Sequence, residues 1–200
     1  MTGQDEDILL VQQCLRGDKG AFGKLIEKYK RPIFNLAYRM LLSEEEAEDA
    51  FQETFFKAYK SLDKYKINYS FFTWLYTVAL NVCRNRRKKK WRYHFFSINE
   101  PLGDDEKLTW QVSDLKLAPD VLLERKQEMA LVSEAINTLP EKYRVVIVLR
   151  YLEDMSYLEI SEVVGLPLGT IKTQIHRGRK IIQDYIGKQK KVEDDEVYGN

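Results

Sequence analysis

The sequence predicts an all-α fold: two small helical domains joined by an acidic, flexible linker, the second domain carrying a helix-turn-helix. Three observations point there. Ten Gly and five Pro in 200 residues fall below the roughly 12% of average usage, which argues against turn-dense β architectures. Apolar residues recur at three- and four-residue spacing in two long stretches, the helical period. Between them, from Ser97 to Asp120, the periodicity fails, Pro101, Gly103 and Pro119 appear, and the charge turns acidic. A gap of about 24 residues is long for a loop inside one compact domain. The expected division is therefore a first domain over 1–96, a linker over 97–120, a second domain over 121–187 and a charged tail over 188–200. With 44% hydrophobic and 12% aromatic residues, the chain can bury real cores.

The helices follow in order. Ala21, Phe22, Leu25, Ile26 and Tyr29 form one apolar stripe. Pro32 is then expected to open a second helix through Ile33, Phe34, Leu36, Ala37, Met40 and Leu41, at the first-turn position that Pro tolerates. Ser43 to Glu46 reads as a capping box. The helix behind it lines up Ala47, Ala50, Phe51, Thr54, Phe55, Ala58, Tyr59 and Leu62 as a core stripe. After a loop near Asp63 to Tyr69, Ser70 caps a helix with Phe71, Trp74, Leu75, Val78, Ala79 and Val82 inward. In the second domain Leu122, Met129, Val132, Ala135, Ile136 and Leu139 precede Pro140, and Val145, Val146, Val148, Leu149 and Leu152 follow it. Ser156 to Glu159 repeats the capping box, and Gly165 stands where a left-handed C-cap residue is wanted. Thr170 then caps a last helix with Ile171, Ile175, Ile182 and Ile186 inward. Helix, short Gly-containing turn, helix is the helix-turn-helix unit.

Composition also limits function. Cys14 and Cys83 form no disulfide framework and no zinc-binding spacing, which fits a reducing cytoplasm. Asp5, Glu6 and Asp7 precede the apolar run Ile8 to Val11, so no signal peptide is expected, and no segment approaches the ~18 apolar residues of a membrane span. The net charge of +1 hides two basic blocks. Residues 84–96 hold seven Lys or Arg and no acid, and 172–191 hold seven against Asp184 alone. Two such blocks, each closing an apolar helical segment, suggest two contacts with one polyanion. The plainer alternative is a pair of solvated helix ends.

Three constellations carry chemistry. The second helix of a helix-turn-helix lies in the major groove, and its outward face here begins Lys172, Thr173, His176, Arg177 and continues to Arg179 and Lys180. Lys and Arg pair with guanine or phosphate, Thr contacts bases or phosphate, and His176 reads as a hydrogen-bonding contact rather than a metal ligand. In the first domain Tyr65, Asn68, Tyr69, Ser70, Phe72 and Tyr76 are interleaved around the Trp74 helix, beside a basic run. Aromatic platforms beside basic charge suit single-stranded nucleic acid, because an unstacked base recovers about 1–3 kcal/mol on an aromatic ring. Finally, the face opposite the core on the helix after Ser43 holds Glu45, Glu48, Asp49, Gln52, Glu53 and Phe56. It reads as a solvated face, as a carboxylate metal site, or as a protein-docking face. The chain's two His lie elsewhere, against the metal reading, and an exposed Phe56 among polar residues favours docking.

Four ordered strings, AEDAFQETFFKAY (47–59), FFTWLYTVALNVCRNRRKK (71–89), LPEKYRVVIVLRYLEDMSYLEIS (139–161) and PLGTIKTQIHRGR (167–179), resemble the signature segments of extracytoplasmic function sigma factors. These are the small two-domain members of the bacterial sigma-70 family, and the resemblance covers about residues 8–92 and 122–186. It implies that 1–96 is sigma region 2 and 121–187 sigma region 4. It implies docking on core RNA polymerase through Asp49, Gln52, Glu53 and Phe56. It implies reading and opening of the −10 promoter element by Tyr65, Asn68, Tyr69, Ser70, Asn81, Arg84, Arg86, Arg87 and Lys88. Thr170, Lys172, Thr173, His176, Arg177 and Lys180 would read the −35 element. One departure is visible: members often carry Asp four residues after the position of Asn81, and this chain has Asn85.

The expectation is therefore a cytoplasmic sigma factor with no catalytic activity, cofactor, metal or small-molecule substrate, whose partners are core RNA polymerase, promoter DNA and an anti-sigma factor. An ordinary helix-turn-helix regulator of duplex DNA is the alternative within the same class, and it leaves the first domain's acidic and aromatic faces unexplained. A carboxylate metal-dependent enzyme is the alternative from another class.

Overall fold

The computed structural model describes residues 3–66, 70–96 and 119–198, with side chains over 4–66, 70–89 and 129–189. Asn68, Tyr69 and residues 97–118 of the expected linker lie outside the described residues. Those described form eight α-helices: α1 (Gly3–Leu15), α2 (Lys19–Leu41), α3 (Glu44–Lys60), α4 (Phe71–Phe96), α5 (Pro119–Thr138), α6 (Glu141–Tyr151), α7 (Tyr157–Val164) and α8 (Leu168–Tyr198). In the first domain α2 packs on α1, α3 and α4, and α3 packs on α4. In the second, α8 packs on α5, α6 and α7.

Asp18 caps α2 by accepting from Gly20 N at 2.8 Å and Ala21 N at 3.4 Å. The break expected at Pro32 does not occur, and α2 runs through it. Ala21, Phe22, Leu25 and Tyr29 before Pro32 and Ile33, Leu36, Ala37 and Met40 after it share one buried stripe. Joint burial outweighs the ~3 kcal/mol that an interior Pro costs. Ser43 caps α3, while the Glu46 carboxylate reaches across to Arg86 instead of closing the box. The α3 stripe is buried as expected at Ala47, Ala50, Thr54, Phe55, Ala58 and Leu62, but Tyr59 is 46% exposed, its ring edge-on to Phe22 at 5.0 Å.

Helix α4 has three sides. Phe71, Leu75, Ala79 and Val82 enter the first domain's core, as their spacing predicts. Thr73, Tyr76, Leu80 and Cys83 form a second stripe that is also buried, because α7 lies along α4. Tyr76, expected off the core, is fully buried, and its hydroxyl donates to the Glu153 carboxylate. The third side stays polar.

In the second domain Ala135, Ile136 and Leu139 are buried, whereas Met129 and Val132, expected inward, are exposed. Six consecutive residues, Arg144 to Leu149, are buried because α6 packs on α7 and α8 and also on α2. Ser156 and Glu159 close both arms of the second capping box at 3.2 and 2.8 Å, and Gly165 has φ 73°. Gly178 lets α8 approach α6, since a Cβ there would lie 2.8 Å from Ile147 Cγ1. Thr170 sits inside the first turn of α8, its N–H donating to Pro167 O at 2.9 Å, so it is not the cap expected. Likewise α8 continues to Tyr198, so residues 188–198 of the expected charged tail prolong this helix. Pro119 opens α5, two residues inside the stretch assigned to the linker.

The two domains touch, which the sequence reading did not foresee. Arg39 Nη1 donates to Ser133 Oγ at 2.9 Å. Arg144 Nη2 donates to Asn137 O at 2.6 Å and Leu139 O at 2.9 Å, closing the carbonyl end of α5, while its Nη1 reaches Arg39 O at 3.5 Å. Burial, helped by nearby Arg87, pushes the Arg144 guanidinium down to about 10.

Candidate polymerase and nucleic-acid interfaces

On α3, Glu45, Glu48, Asp49, Gln52 and Phe56 face outward, and Phe56 is 58% exposed. The Lys60 ammonium sits 4.4 Å from the Phe56 ring centroid, which leaves the opposite ring face for a partner. Asp49 and Glu53 are not free carboxylates. Arg86 of α4 lies between them, with Nη1 3.1 Å from Asp49 Oδ2 and 3.3 Å from Glu46 Oε2, and Nε 3.0 Å from Glu53 Oε2. Lys57 adds a contact to Glu53 at 2.7 Å. Burial alone would raise the Glu53 carboxyl, but the hydrogen bonds from Lys57 and Arg86 outweigh it and hold the group below its ordinary value. A guanidinium thus occupies the space a cation would need. Among the described residues no group of three His, Cys, Asp or Glu is placed to hold a metal ion.

The −10 candidates divide into three sets. Asn81 and Lys88, with Thr77 and Asn85, lie on the polar third side of α4 at helical spacing, and Ser70 immediately precedes the helix. Arg84 and Arg87 lean toward Glu141 of α6, and Arg86 turns to α3. Tyr65 is buried, with its ring 5.6 Å from Phe71 and 5.4 Å from Trp74. It packs on the first turn of α4, so Phe71 and Trp74 take up the ring expected to stack on a base. Arg86 is turned from the polar side of α4 toward α3, where three carboxylates engage its fork.

Sequence reasoning missed the lysines beside Asn81. An open hollow of about 420 Å³ is lined by Lys57, Lys60, Ser61, Lys64, Val78, Asn81 and Val82. The signal was the i, i+3 spacing of Lys57 and Lys60 at the end of an otherwise acidic helix, continued by Lys64.

On α8 the residues expected to form a recognition face point outward. Thr170, Lys172, Thr173, His176, Arg177, Arg179 and Lys180 are all exposed, while Ile171 and Ile175 point into the core. Thr173 Oγ1 donates to Gly169 O at 2.9 Å, so toward a ligand it offers its methyl group and an acceptor lone pair. Lys142 and Tyr143 of α6, also missed, join Gly169, Thr170, Thr173 and Arg177 around a second hollow of about 280 Å³. Arg177 beside the Tyr143 hydroxyl draws its pKa below the ordinary value. Among the described residues no helix is long and apolar enough to cross a membrane.

Comparison with known proteins identifies the family of the chain. The family model for Sigma-70 region 2 matches residues 25–93, and that for Sigma-70, region 4 matches residues 129–182. The chain is 40% identical over 177 residues to the ECF RNA polymerase sigma factor SigW of Bacillus subtilis (strain 168), covering 86% of this chain and 92% of that one. It is 30% identical over 192 residues to the ECF RNA polymerase sigma-E factor of Escherichia coli (strain K12), covering 93% and 97%. Among solved structures, the sigma factor RpoE in complex with the anti-sigma factor NepR from Bartonella quintana superposes with a TM-score of 0.69 at 22% identity, over 83% of this chain and 96% of that one. CnrH in complex with the cytosolic domain of CnrY gives 0.65 at 22% identity, over 92% and 98%. These two share the fold. Matched in both domains, and along nearly the whole length of its relatives, the chain belongs to the extracytoplasmic function sigma factors of the sigma-70 family.

Proposed function

We propose that this chain binds core RNA polymerase, directs it to a subset of promoters and opens the DNA there, with no catalysis of its own and from the cytoplasm. The observation that carries the reading is the presence, in one chain and in order, of regions 2 and 4 with their outward faces exposed. Phe56 and Gln52, with Asp49 and Glu53 aligned by Arg86, form the polymerase-docking face of α3. Asn81 and Lys88 on the polar side of α4, with Asn68, Tyr69 and Ser70 before it, hold the −10 strand. Arg84 and Arg87 supply charge for its backbone. Lys57, Lys60 and Lys64 around Asn81 extend that basic surface. On α8 Lys172, Arg177 and Lys180 grip phosphates of the −35 element, while Thr173 and His176 meet base edges. An anti-sigma partner fits as well, since a sigma factor of the same fold has been solved with an anti-sigma factor bound.

The discriminating experiment is transcription by core polymerase on linear genomic fragments, with and without the chain. Discrete new transcripts are expected only with it. Retarded fragments without new transcripts would favour the alternative, a helix-turn-helix regulator confined to duplex DNA.

A further inference from the structure

Arg84 and Arg87, assigned above to the −10 strand, face one carboxylate of the other domain. Arg84 Nε lies 4.0 Å from Glu141 Oε1, and Arg87 Nη1 lies 3.2 Å from Glu141 Oε2. Glu141 is the first residue of α6, where a helix N-terminus favours negative charge, so its own helix fixes it in place. A carboxylate presents two anionic oxygens to a guanidinium much as a phosphodiester does. The contact is one of several across the same face. The Tyr76 hydroxyl donates to Glu153, Arg39 to Ser133, and the apolar stripe Tyr76, Leu80 and Cys83 is covered. Meanwhile Lys172, Thr173, His176 and Arg177 stay exposed on α8. The arrangement therefore leaves the −35 face open while it covers part of the −10 face.

It also cannot persist on a promoter. Elements near −35 and −10 are separated by about 25 base pairs, on the order of 85 Å of duplex at about 3.4 Å per pair. Two packed domains of this size measure only about 45 Å across. The 22 residues from 97 to 118 reach about 75 Å when extended, so the connection allows separation.

We propose that the second domain is an intramolecular competitor for nucleic acid, with Glu141 standing in for a phosphate on Arg84 and Arg87 until the domains part. This rests on the −10 assignment of those two arginines. Partly exposed ion contacts are individually weak, so the competition is modest and reversible.

The test is a double-mutant cycle in the full chain, read by fluorescence anisotropy with a labelled 12-nucleotide oligothymidylate at low salt. Glu141→Gln should bind about three- to tenfold more tightly than wild type. The gain should vanish when Glu141→Gln is placed on an Arg84→Ala, Arg87→Ala background. No gain, or the same gain on both backgrounds, would overturn the proposal, because general loss of a negative charge would then explain everything. Transcription with core polymerase, run on the same proteins, separates the two readings. Normal transcription with a flat cycle overturns the competitor alone, whereas a coupled cycle without transcription supports the competitor and overturns the promoter role.

Discussion

Replacing Arg86 with Ala separates a structural role from a DNA-contacting one. The side chain is only 24% exposed and meets three carboxylates at 3.0 to 3.3 Å. Each partly exposed pair is worth about 0–1 kcal/mol after solvent screening, and removal also leaves Glu46, Asp49 and Glu53 to repel one another. The expected loss is therefore about 1–3 kcal/mol, which lowers a urea midpoint by roughly 1 M for an m-value near 2 kcal/mol/M. Arg86→Lys should recover part of it, as a point charge that cannot span three acceptors. The pH dependence has a definite sign. Glu53 has a folded-state pKa held below its ordinary 4.5, so its contribution is present above pH 4.5 and is lost as pH falls through the lower folded value. The gap between wild type and Arg86→Ala should shrink over that same window. An Arg86→Ala protein with an unchanged midpoint and weakened single-strand binding would refute the structural role and restore the −10 contact implied by the sequence.

Further outcomes follow from particular contacts. Gly178→Ala places a methyl 2.8 Å from Ile147 Cγ1, so calorimetry should show a loss of about 1–3 kcal/mol although helix propensity alone favours Ala by about 1 kcal/mol. A gain would mean that α6 and α8 can part without cost. Phe56→Ala, which leaves the Arg86 network intact, should weaken co-purification with core polymerase about tenfold or more without changing helicity. Unchanged recovery would remove Phe56 from the docking face. Substituting Lys172, Arg177 or Lys180 should flatten the log-log salt slope of promoter binding by about 0.9 for each phosphate contact removed, whereas Thr173 or His176 substitutions should change which upstream element is preferred. Uniform weakening by all five would reassign the recognition helix.

Local signals were read well because they act over a few residues. The Ser156 capping box, the left-handed Gly165 and the inward Ile171 and Ile175 all depend on neighbours within a turn or two, and each stands where its spacing put it. What failed depends on partners far along the chain. Pro32 looked like a helix start because the reward for continuing comes from α1, α3 and α4. Arg86 read as part of a basic track, yet its partners lie 33 to 40 residues earlier. Tyr65 carried the right chemistry for stacking, but Phe71 and Trp74 claim its ring. The interdomain contact was signalled only by the second apolar stripe of α4, Tyr76, Leu80 and Cys83, and α4 was already accounted for by its first. Exposure followed from charge on α8, where among the described residues no acid engages the basic side chains, and less so on α4, where acids from two directions engage the arginines.

Promoter opening separates the proposed role from that of a factor that only grips duplex DNA. Flipped bases cost a few kcal/mol to unstack and need polar and aromatic groups to receive them. Permanganate reactivity of thymines near the −10 element, measured with core polymerase and the chain on duplex and pre-melted templates, reads that step directly. Reactive thymines should appear on duplex DNA only when the chain is present. Asn68→Ala with Tyr69→Ala should abolish them on duplex while leaving promoter location intact, and a pre-melted template should restore most of the loss. A protected duplex with no reactive thymines in wild type, or wild-type reactivity in the double mutant, would contradict the mechanism.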